Sequence, residues 1–334
     1  MWDVLRINLA SPLALAFVLG VVSRLLRSEL TLPRELYASL SIYLLLAIGL
    51  KGGVELSHST FDSVIWPALA TIGLGFITPI SAYLILRRLG KFSIANAAGI
   101  AAHYGSVSAV TFIAAQQFVQ TLGFPAEGFM PTLLTLMESP GIHVAIGIGA
   151  IQTAREAARN PKPSGSGEVP RPMSAVLHEV LTSRSMILLV GGLIVGCVIG
   201  EPGYEPVKPF FEGMFKGALT LFLLEMGLAA GARLGDLKSV GLFLLAFGLL
   251  VPIIHGALGV FVGHWSGLSI GGATVLGAMA ASASYIAAPP AVRMTLPEAN
   301  PTYYLTAALA ITFPFNIVIG IPLYYRMACL LAGN

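Results

Sequence analysis

Long apolar segments separated by short polar turns run through the whole 334-residue chain, and they constrain its fold more than any other feature. A helix crosses the ~30 Å hydrocarbon core of a bilayer with about 20 apolar residues, and most of these segments approach or exceed that length. Only 10% of the residues are charged, whereas soluble domains carry about a quarter. A transmembrane β-barrel would instead show alternating segments of about ten residues. The sequence therefore predicts an all-α polytopic membrane protein.

Ten such segments predict ten transmembrane helices. They cover residues 11–26, 36–56, 64–86, 94–119, 129–151, 186–199, 211–234, 240–264, 269–292 and 302–330. The polar segment between the fifth and the sixth contains Pro, Gly and Ser residues typical of a flexible linker. We therefore predict a first five-helix repeat (1–152), a cytoplasmic linker (153–184) and a second, inverted five-helix repeat (185–334).

The basic residues predict how these helices are oriented. If the helices alternate in direction, only Arg6, Lys51, Lys208, Lys216 and Arg326 lie on the side away from the linker. The other fourteen of the 19 Lys and Arg residues lie on the linker side. Because Lys and Arg accumulate on the cytoplasmic side of a membrane, we expect a cytoplasmic linker and both termini outside. The expected location is the cell inner (plasma) membrane.

The two halves of the chain repeat one another. The segment around Gly49 and Gly53 aligns with the segment around Gly227 and Gly231. Two further matches pair residues 105–108 with 281–284 and residues 138–142 with 312–316. Since each half holds five helices, an odd number, the second copy enters the membrane from the opposite side. Inverted repeats of this kind are typical of secondary transporters, whose sites lie near mid-membrane on discontinuous helices.

Small polar residues interrupt the fourth and ninth predicted helices. Gly105 lets the chain leave helical geometry, and Pro289 and Pro290 cannot continue a regular helix. The N–H groups that begin the second half of a broken helix carry the positive end of its dipole, which favours a small anion. The alternative is that Gly and Ser only allow close helix packing. The predicted substrate-binding residues are Gly105, Ser106, Ser108 and Thr111 in the fourth helix and Ser282, Ser284 and Tyr285 in the ninth.

Glu138 lies inside the fifth predicted helix, next to Ser139. A charged side chain at the centre of a bilayer costs at least ~2.5–3.5 kcal/mol, so it is a functional candidate. Its repeat equivalents include Thr312 and Asn316, which supply neutral oxygens. Because oxygen ligands suit hard cations, we predict that Glu138, Ser139, Thr312 and Asn316 form a cation-coupling group. The alternative is a protonated Glu138 that serves helix packing.

Several other functions have no support in the sequence. No serine-elbow, Walker, Gly-rich nucleotide or His/Cys metal pattern occurs, so neither an enzyme nor an ATP-driven pump is expected. We expect no cofactor and no metal ion beyond a sodium ion. The net charge of +3 gives no reason to expect nucleic-acid binding. Membrane lipid is the expected environment.

Four motifs resemble those of the sodium-dependent bicarbonate transporters best known from cyanobacteria. They are residues 104–111, 137–140, 280–290 and 297–301, and the resemblance extends over nearly the whole chain. It implies ten helices in a 5+5 inverted repeat with broken fourth and ninth helices, a homotrimer, and sodium-driven bicarbonate import. It also implies a PII-like signalling protein that binds from the cytoplasm. Glu138 occupies the place of the family's Asp before the proline, whereas Tyr285 stands where the cyanobacterial pattern has an acidic residue.

Three functional hypotheses follow. The first is a secondary active transporter that imports a small anion, bicarbonate first, together with sodium. The second is a proton-coupled or uniporting carrier of another small organic anion on the same fold, motivated by Tyr285 in place of an acid. The third is a channel or sensor regulated through the linker.

Overall fold

The computed structural model describes residue 6, residues 8–159, residue 178 and residues 181–333. Within these residues the protein is helical and contains no β-strand. Most of the predicted linker, residues 160–177, 179 and 180, lies outside the described residues. The division of the chain at residues 153–184 therefore stays a prediction.

Six helices can be bounded among the described residues of the first half. They are α1 (Pro12–Leu25), α2 (Arg34–His58), α3 (Phe61–Arg88), α4 (Ile94–Gly105), α5 (Ala109–Thr121) and α6 (Met130–Arg159). Serine side chains cap the first turns of three of them, because Ser11, Ser93 and Ser108 each accept a hydrogen bond from the N–H three residues on. Residues 106–108 separate α4 from α5.

Among the described residues of the second half there are another six helices, besides the short turns Pro209–Gly213 and Leu234–Asp236. They are α7 (Arg184–Tyr204), α8 (Phe215–Arg233), α9 (Leu237–Trp265), α10 (Ile270–Ala280), α11 (Ala288–Thr295) and α12 (Pro301–Leu331). Residues 281–287 separate α10 from α11. Helix α12 widens into two π-helical stretches, Thr306–Thr312 and Asn316–Gly320, on either side of Pro314. Proline has no backbone N–H to donate, which fits irregular helical turns around it.

Seven helical stretches among the described residues are long and apolar enough to cross a membrane. One of them, Phe215–Trp265, has 51 residues and contains both α8 and α9. Helices α1 and α10 are apolar but shorter. The structure thus confirms an all-helical protein of membrane type. The count of ten, the inverted repeat and the interruption of two helices at membrane depth stay predictions.

Glycines join the two halves at two places. A Cβ atom on Gly53 of α2 would lie 2.9 Å from the Cα of Gly196 in α7. A Cβ on Gly227 of α8 would lie 2.1 Å from the carbonyl oxygen of Phe17 and 3.0 Å from the Cα of Gly20, both in α1. The backbones approach so closely that only glycine fits at these positions. Each of the two aligned glycine motifs therefore packs against a helix of the other half.

Two buried apolar clusters fill the interior. One contains Phe112, Phe222 and Phe313, and the other contains Tyr104 and Tyr304. Tyr285, in the segment between α10 and α11, packs against both clusters. This segment therefore lies where the two clusters meet.

Candidate functional site

The two helix interruptions contact each other through buried hydrogen bonds. The backbone N–H of Ser108 donates to Oγ of Ser282 at 2.9 Å, and that hydroxyl donates to the carbonyl of Met279 at 2.8 Å. The N–H of Ser284 donates to the carbonyl of His103 at 2.8 Å. All five residues are buried. These bonds hold the start of α5 beside the segment between α10 and α11.

Ser108 and Ser284, which the sequence alignment of the two halves pairs, make the same local contact. Oγ of Ser108 accepts a hydrogen bond from the N–H of Thr111 at 3.3 Å. Oγ of Ser284 accepts one from the N–H of Ala287, also at 3.3 Å. Ser108 is thus the N-cap of α5, whereas Ser284 closes a turn that precedes the start of α11 at Ala288.

A narrow cavity lies beside Ser108 and Ser284. Its volume is about 30 Å³, which is room for about two water molecules. The two interruptions with α5 and α6 contribute Val107, Ser108, Ala109, Val110, Ile113, Glu138, Ser284, Tyr285, Ile286 and Ala287 to its lining. Helices α2, α7 and α8 contribute Ser41, Leu44, Leu45, Ser185 and Phe222. The cavity therefore brings together four of the predicted site residues from three separate motifs.

Glu138 supplies the carboxylate of this cavity. It lies in α6, is only 4% exposed, and accepts a hydrogen bond from Oγ of Ser185 at 3.1 Å. A buried carboxylate is costly unless a proton, a cation or hydrogen-bond donors compensate it. The sequence did not predict Ser185, in the first turn of α7, or Ser41, in α2. No motif marks them, since they reach the cavity only through the packing of α2 and α7.

Thr312 and Asn316 belong to a different buried network. Oγ1 of Thr312 lies 2.6 Å from Oη of Tyr104. Nδ2 of Asn316 donates to the carbonyl of Ala281 at 2.9 Å, and its Oδ1 accepts from the hydroxyl of Tyr324 at 3.0 Å. Both side chains are fully buried. They therefore fix α12 against its neighbours.

The structure describes the side chains of three of the four predicted cation-coupling residues. Among the described residues, no hydrogen bond joins Glu138 to Thr312 or Asn316, and neither of these two lines the cavity. The backbone of Ser139 is part of α6, but its side chain lies outside the described residues. A shared cation site for these four residues stays a prediction.

The remaining predicted residues of the fourth helix surround the α4–α5 interruption. A Cβ on Gly105 would lie 2.6 Å from the Cβ of Pro79, so α3 and the end of α4 approach closely at this glycine. Oγ of Ser106 and Oγ1 of Thr111 are buried and have no hydrogen-bond partner in the described part of the chain. Buried polar atoms are usually paired, so both hydroxyls are available to a ligand or a water molecule.

Tyr285 brings an aromatic hydroxyl to the cavity. Its hydroxyl faces Ser108 without meeting the distance and angle of a hydrogen bond. Its ring packs edge-on against Phe313, with ring centroids 5.4 Å apart. The ring position is thus fixed by packing, while the hydroxyl remains free to bind.

The comparison with known proteins agrees with this geometry. No curated protein matched the chain. The family model of the Na+-dependent bicarbonate transporter superfamily matches residues 12–329, which is nearly the whole sequence. The match includes both helix interruptions, the segment around Glu138 and most of α12. The chain therefore belongs to the Na+-dependent bicarbonate transporter superfamily.

Proposed function

We propose that the protein is a secondary active transporter that imports bicarbonate together with sodium across the cell inner membrane. The observation that carries this proposal is the cavity in which Ser108, Ser284 and Glu138 meet. Membership of the superfamily supports the substrate class. The cavity combines the start of α5, which favours an anion, with the carboxylate of Glu138, which suits a cation.

The anion is bound at the capped start of α5, beside Ser284. Ala109 and Val110 line the cavity at the first turn of α5, where N–H groups are unpaired within the helix and the helix dipole is positive. Ser108 and Ser284 add hydroxyl groups beside them. The cavity has room for about two water molecules, so an anion with four heavy atoms enters only when the cavity widens. This agrees with alternating access, in which one helix bundle moves against the other.

Glu138 provides the coupling. Its ionised carboxylate repels an anion bound in the same small cavity, and a sodium ion beside it removes that repulsion. Cation and anion therefore stabilise each other, which is what a symporter needs. Ser139, Thr312 and Asn316 stay predictions as further cation ligands.

The larger architecture is part of the same proposal. Close glycine contacts at the aligned Gly49 and Gly227, and matching serine hydrogen bonds at Ser108 and Ser284, support ten helices in a 5+5 inverted repeat with broken fourth and ninth helices. The excess of basic residues on the linker side supports a cytoplasmic linker and external termini. A homotrimer and a PII-like cytoplasmic regulator are proposals from the family resemblance.

Uptake by reconstituted protein tests the proposal. We expect proteoliposomes to take up labelled bicarbonate faster with an inward sodium gradient than with equal sodium on both sides. Glu138→Gln keeps the size of the side chain and removes its charge, so it should abolish the sodium stimulation. Equal uptake under both conditions would show that transport is not coupled to sodium. If the proteoliposomes take up no bicarbonate, bicarbonate is not the substrate.

A second candidate is a proton-coupled carrier of another small organic anion. It is favoured by Tyr285, which brings a neutral hydroxyl to the cavity and leaves Glu138 as the one carboxylate among the described lining residues. In that case a pH gradient, rather than a sodium gradient, drives uptake, and Glu138→Gln abolishes the pH effect. Measuring both gradients with the same vesicles separates the two candidates.

A further inference from the structure

A second, larger cavity lies apart from the serine-capped site. It has a volume of about 330 Å³ and is bounded by α1, α5, α8 and α12. None of its lining residues also lines the cavity at Ser108. Among the described residues that line it, Lys216 at the start of α8 carries the one formal charge, and polar neutral groups come from Asn8, Ser11, Gln117, Thr121 and Thr220. The cavity therefore has a positive charge that no lining carboxylate balances.

Neighbouring lysines are paired, whereas Lys216 is not. Nζ of Lys51 lies 3.1 Å from Glu212, and Nζ of Lys208 lies 3.2 Å from Glu205. No carboxylate of the described residues lies within ion-pair distance of Lys216. Its ammonium group is exposed to the cavity and free to attract an anion.

Two further features of the cavity favour negative charge. Ser11 caps the start of α1 by accepting from the N–H of Ala14 at 3.2 Å, so the positive end of the α1 dipole lies at this wall. The carboxamide oxygen of Gln117 is buried without a hydrogen-bond partner. Rotation of this carboxamide by 180° about its last bond would bring its NH₂ group there, which can donate to an oxyanion.

We propose that this cavity binds a small free oxyanion at Lys216, with Gln117 and the start of α1 as its neutral partners. A further cavity of about 360 Å³ shares Lys216 and Gln117, and it is also lined by Lys51 and by the carboxylates of Glu55, Glu127 and Glu212. Naming bicarbonate as this oxyanion rests on the proposed function. Lys216 then loads the transported anion by binding it directly at its unpaired ammonium group, and not through the net charge of the opening.

Chemical protection of Lys216 tests binding without any transport. Purified protein in a maltoside detergent is treated with an amine-acylating reagent, in sodium bicarbonate or in sodium gluconate at the same pH and ionic strength. Mass spectrometry then gives the acylation of each lysine. We expect bicarbonate to protect Lys216 in a saturable way and to leave Lys208 unaffected. Equal acylation of Lys216 in both salts would overturn the proposal.

A lipid phosphate has the same chemistry as a free oxyanion, so the measurement is repeated in phospholipid nanodiscs. The proposal predicts that bicarbonate also protects Lys216 there. If Lys216 is already protected in nanodiscs without bicarbonate, and bicarbonate adds nothing, the occupant is a lipid phosphate and the proposal is wrong.

Transport then tests the loading role. Lys216→Gln should raise the half-saturating bicarbonate concentration about fivefold at low salt, while the maximal rate is unchanged. Lys216→Arg should keep the wild-type half-saturating concentration. Lys208→Gln should keep it too, because Lys208 lies before α8 and is paired with Glu205. A Lys216→Gln variant that matches Lys208→Gln would contradict the role. If no variant transports bicarbonate, the proposed function fails, and the protection experiment still decides the site.

Discussion

One of the two hydrogen bonds that hold the helix interruptions together depends on the hydroxyl of Ser282. It accepts from the N–H of Ser108 at 2.9 Å and donates to the carbonyl of Met279 at 2.8 Å. In Ser282→Ala the N–H of Ser108, a residue that is 4% exposed, loses its partner and stays buried. The carbonyl of Met279 still accepts a hydrogen bond from the N–H of residue 282 at 3.1 Å. The loss of stability therefore comes from one unpaired buried donor, the N–H of Ser108.

That cost has a predictable size. Leaving a buried N–H unpaired destabilises a protein by about 1–3 kcal/mol. The substitution removes a single oxygen, so a cavity adds little. With ~2 °C for each kcal/mol in a chain of this length, the melting temperature should fall by about 2 to 6 °C.

Thermal unfolding of the purified protein in detergent measures this fall. Ser39→Ala is the matched control, because the Ser39 hydroxyl is exposed and donates to the carbonyl of Glu35 within its own helix at 2.8 Å. We expect Ser39→Ala to change stability by less than about 0.5 kcal/mol. If Ser282→Ala melts at the same temperature as Ser39→Ala, this hydroxyl does not hold the interruptions together.

Two further predictions concern packing and the cavity. Gly227→Ala places a Cβ 2.1 Å from the carbonyl oxygen of Phe17 and should destabilise the protein by about 1–3 kcal/mol. Gly217→Ala in the same helix meets nothing within 4 Å and should be neutral or stabilising by up to ~1 kcal/mol; equal melting temperatures would refute the α1–α8 contact. Tyr285→Phe keeps the packed ring, so stability should stay within about 0.5 kcal/mol. Competition of bicarbonate uptake by nitrate and formate should change in this variant, and an unchanged competition profile would mean that the Tyr285 hydroxyl does not select the anion.

Local chemistry explains how much of the site the sequence could predict. Gly105 indicates where a regular helix can stop, and α4 ends there. Pro289 and Pro290 indicate that no helix runs through them from before, and they lie in the first turn of α11, where a missing N–H costs nothing. These features depend on a few neighbouring residues, so they are readable without a fold. The resemblance to sodium-dependent bicarbonate transporters is confirmed for the family.

Contacts between distant segments could not be predicted in the same way. Ser185 reaches Glu138 across 47 positions of sequence, and its partner depends on how α7 packs beside α6. The repeat alignment pairs the segment of Thr312 and Asn316 with the segment of Glu138, yet Thr312 bonds to Tyr104 of α4 and Asn316 bonds to Tyr324 of its own helix. An alignment shows which positions are equivalent, and it does not show which side chains touch.

Bicarbonate uptake by Ala109→Leu tests the central claim, which is that the cavity at Ser108 and Ser284 is the anion site. Ala109 lines this cavity of about 30 Å³, and the three added carbons of leucine fill it without removing any hydrogen bond. Ala232→Leu is the control, since Ala232 is exposed on α8. Provided that both variants elute and melt as folded proteins, we expect Ala109→Leu to lower uptake to that of empty liposomes and Ala232→Leu to transport normally. Wild-type uptake by Ala109→Leu would contradict the account.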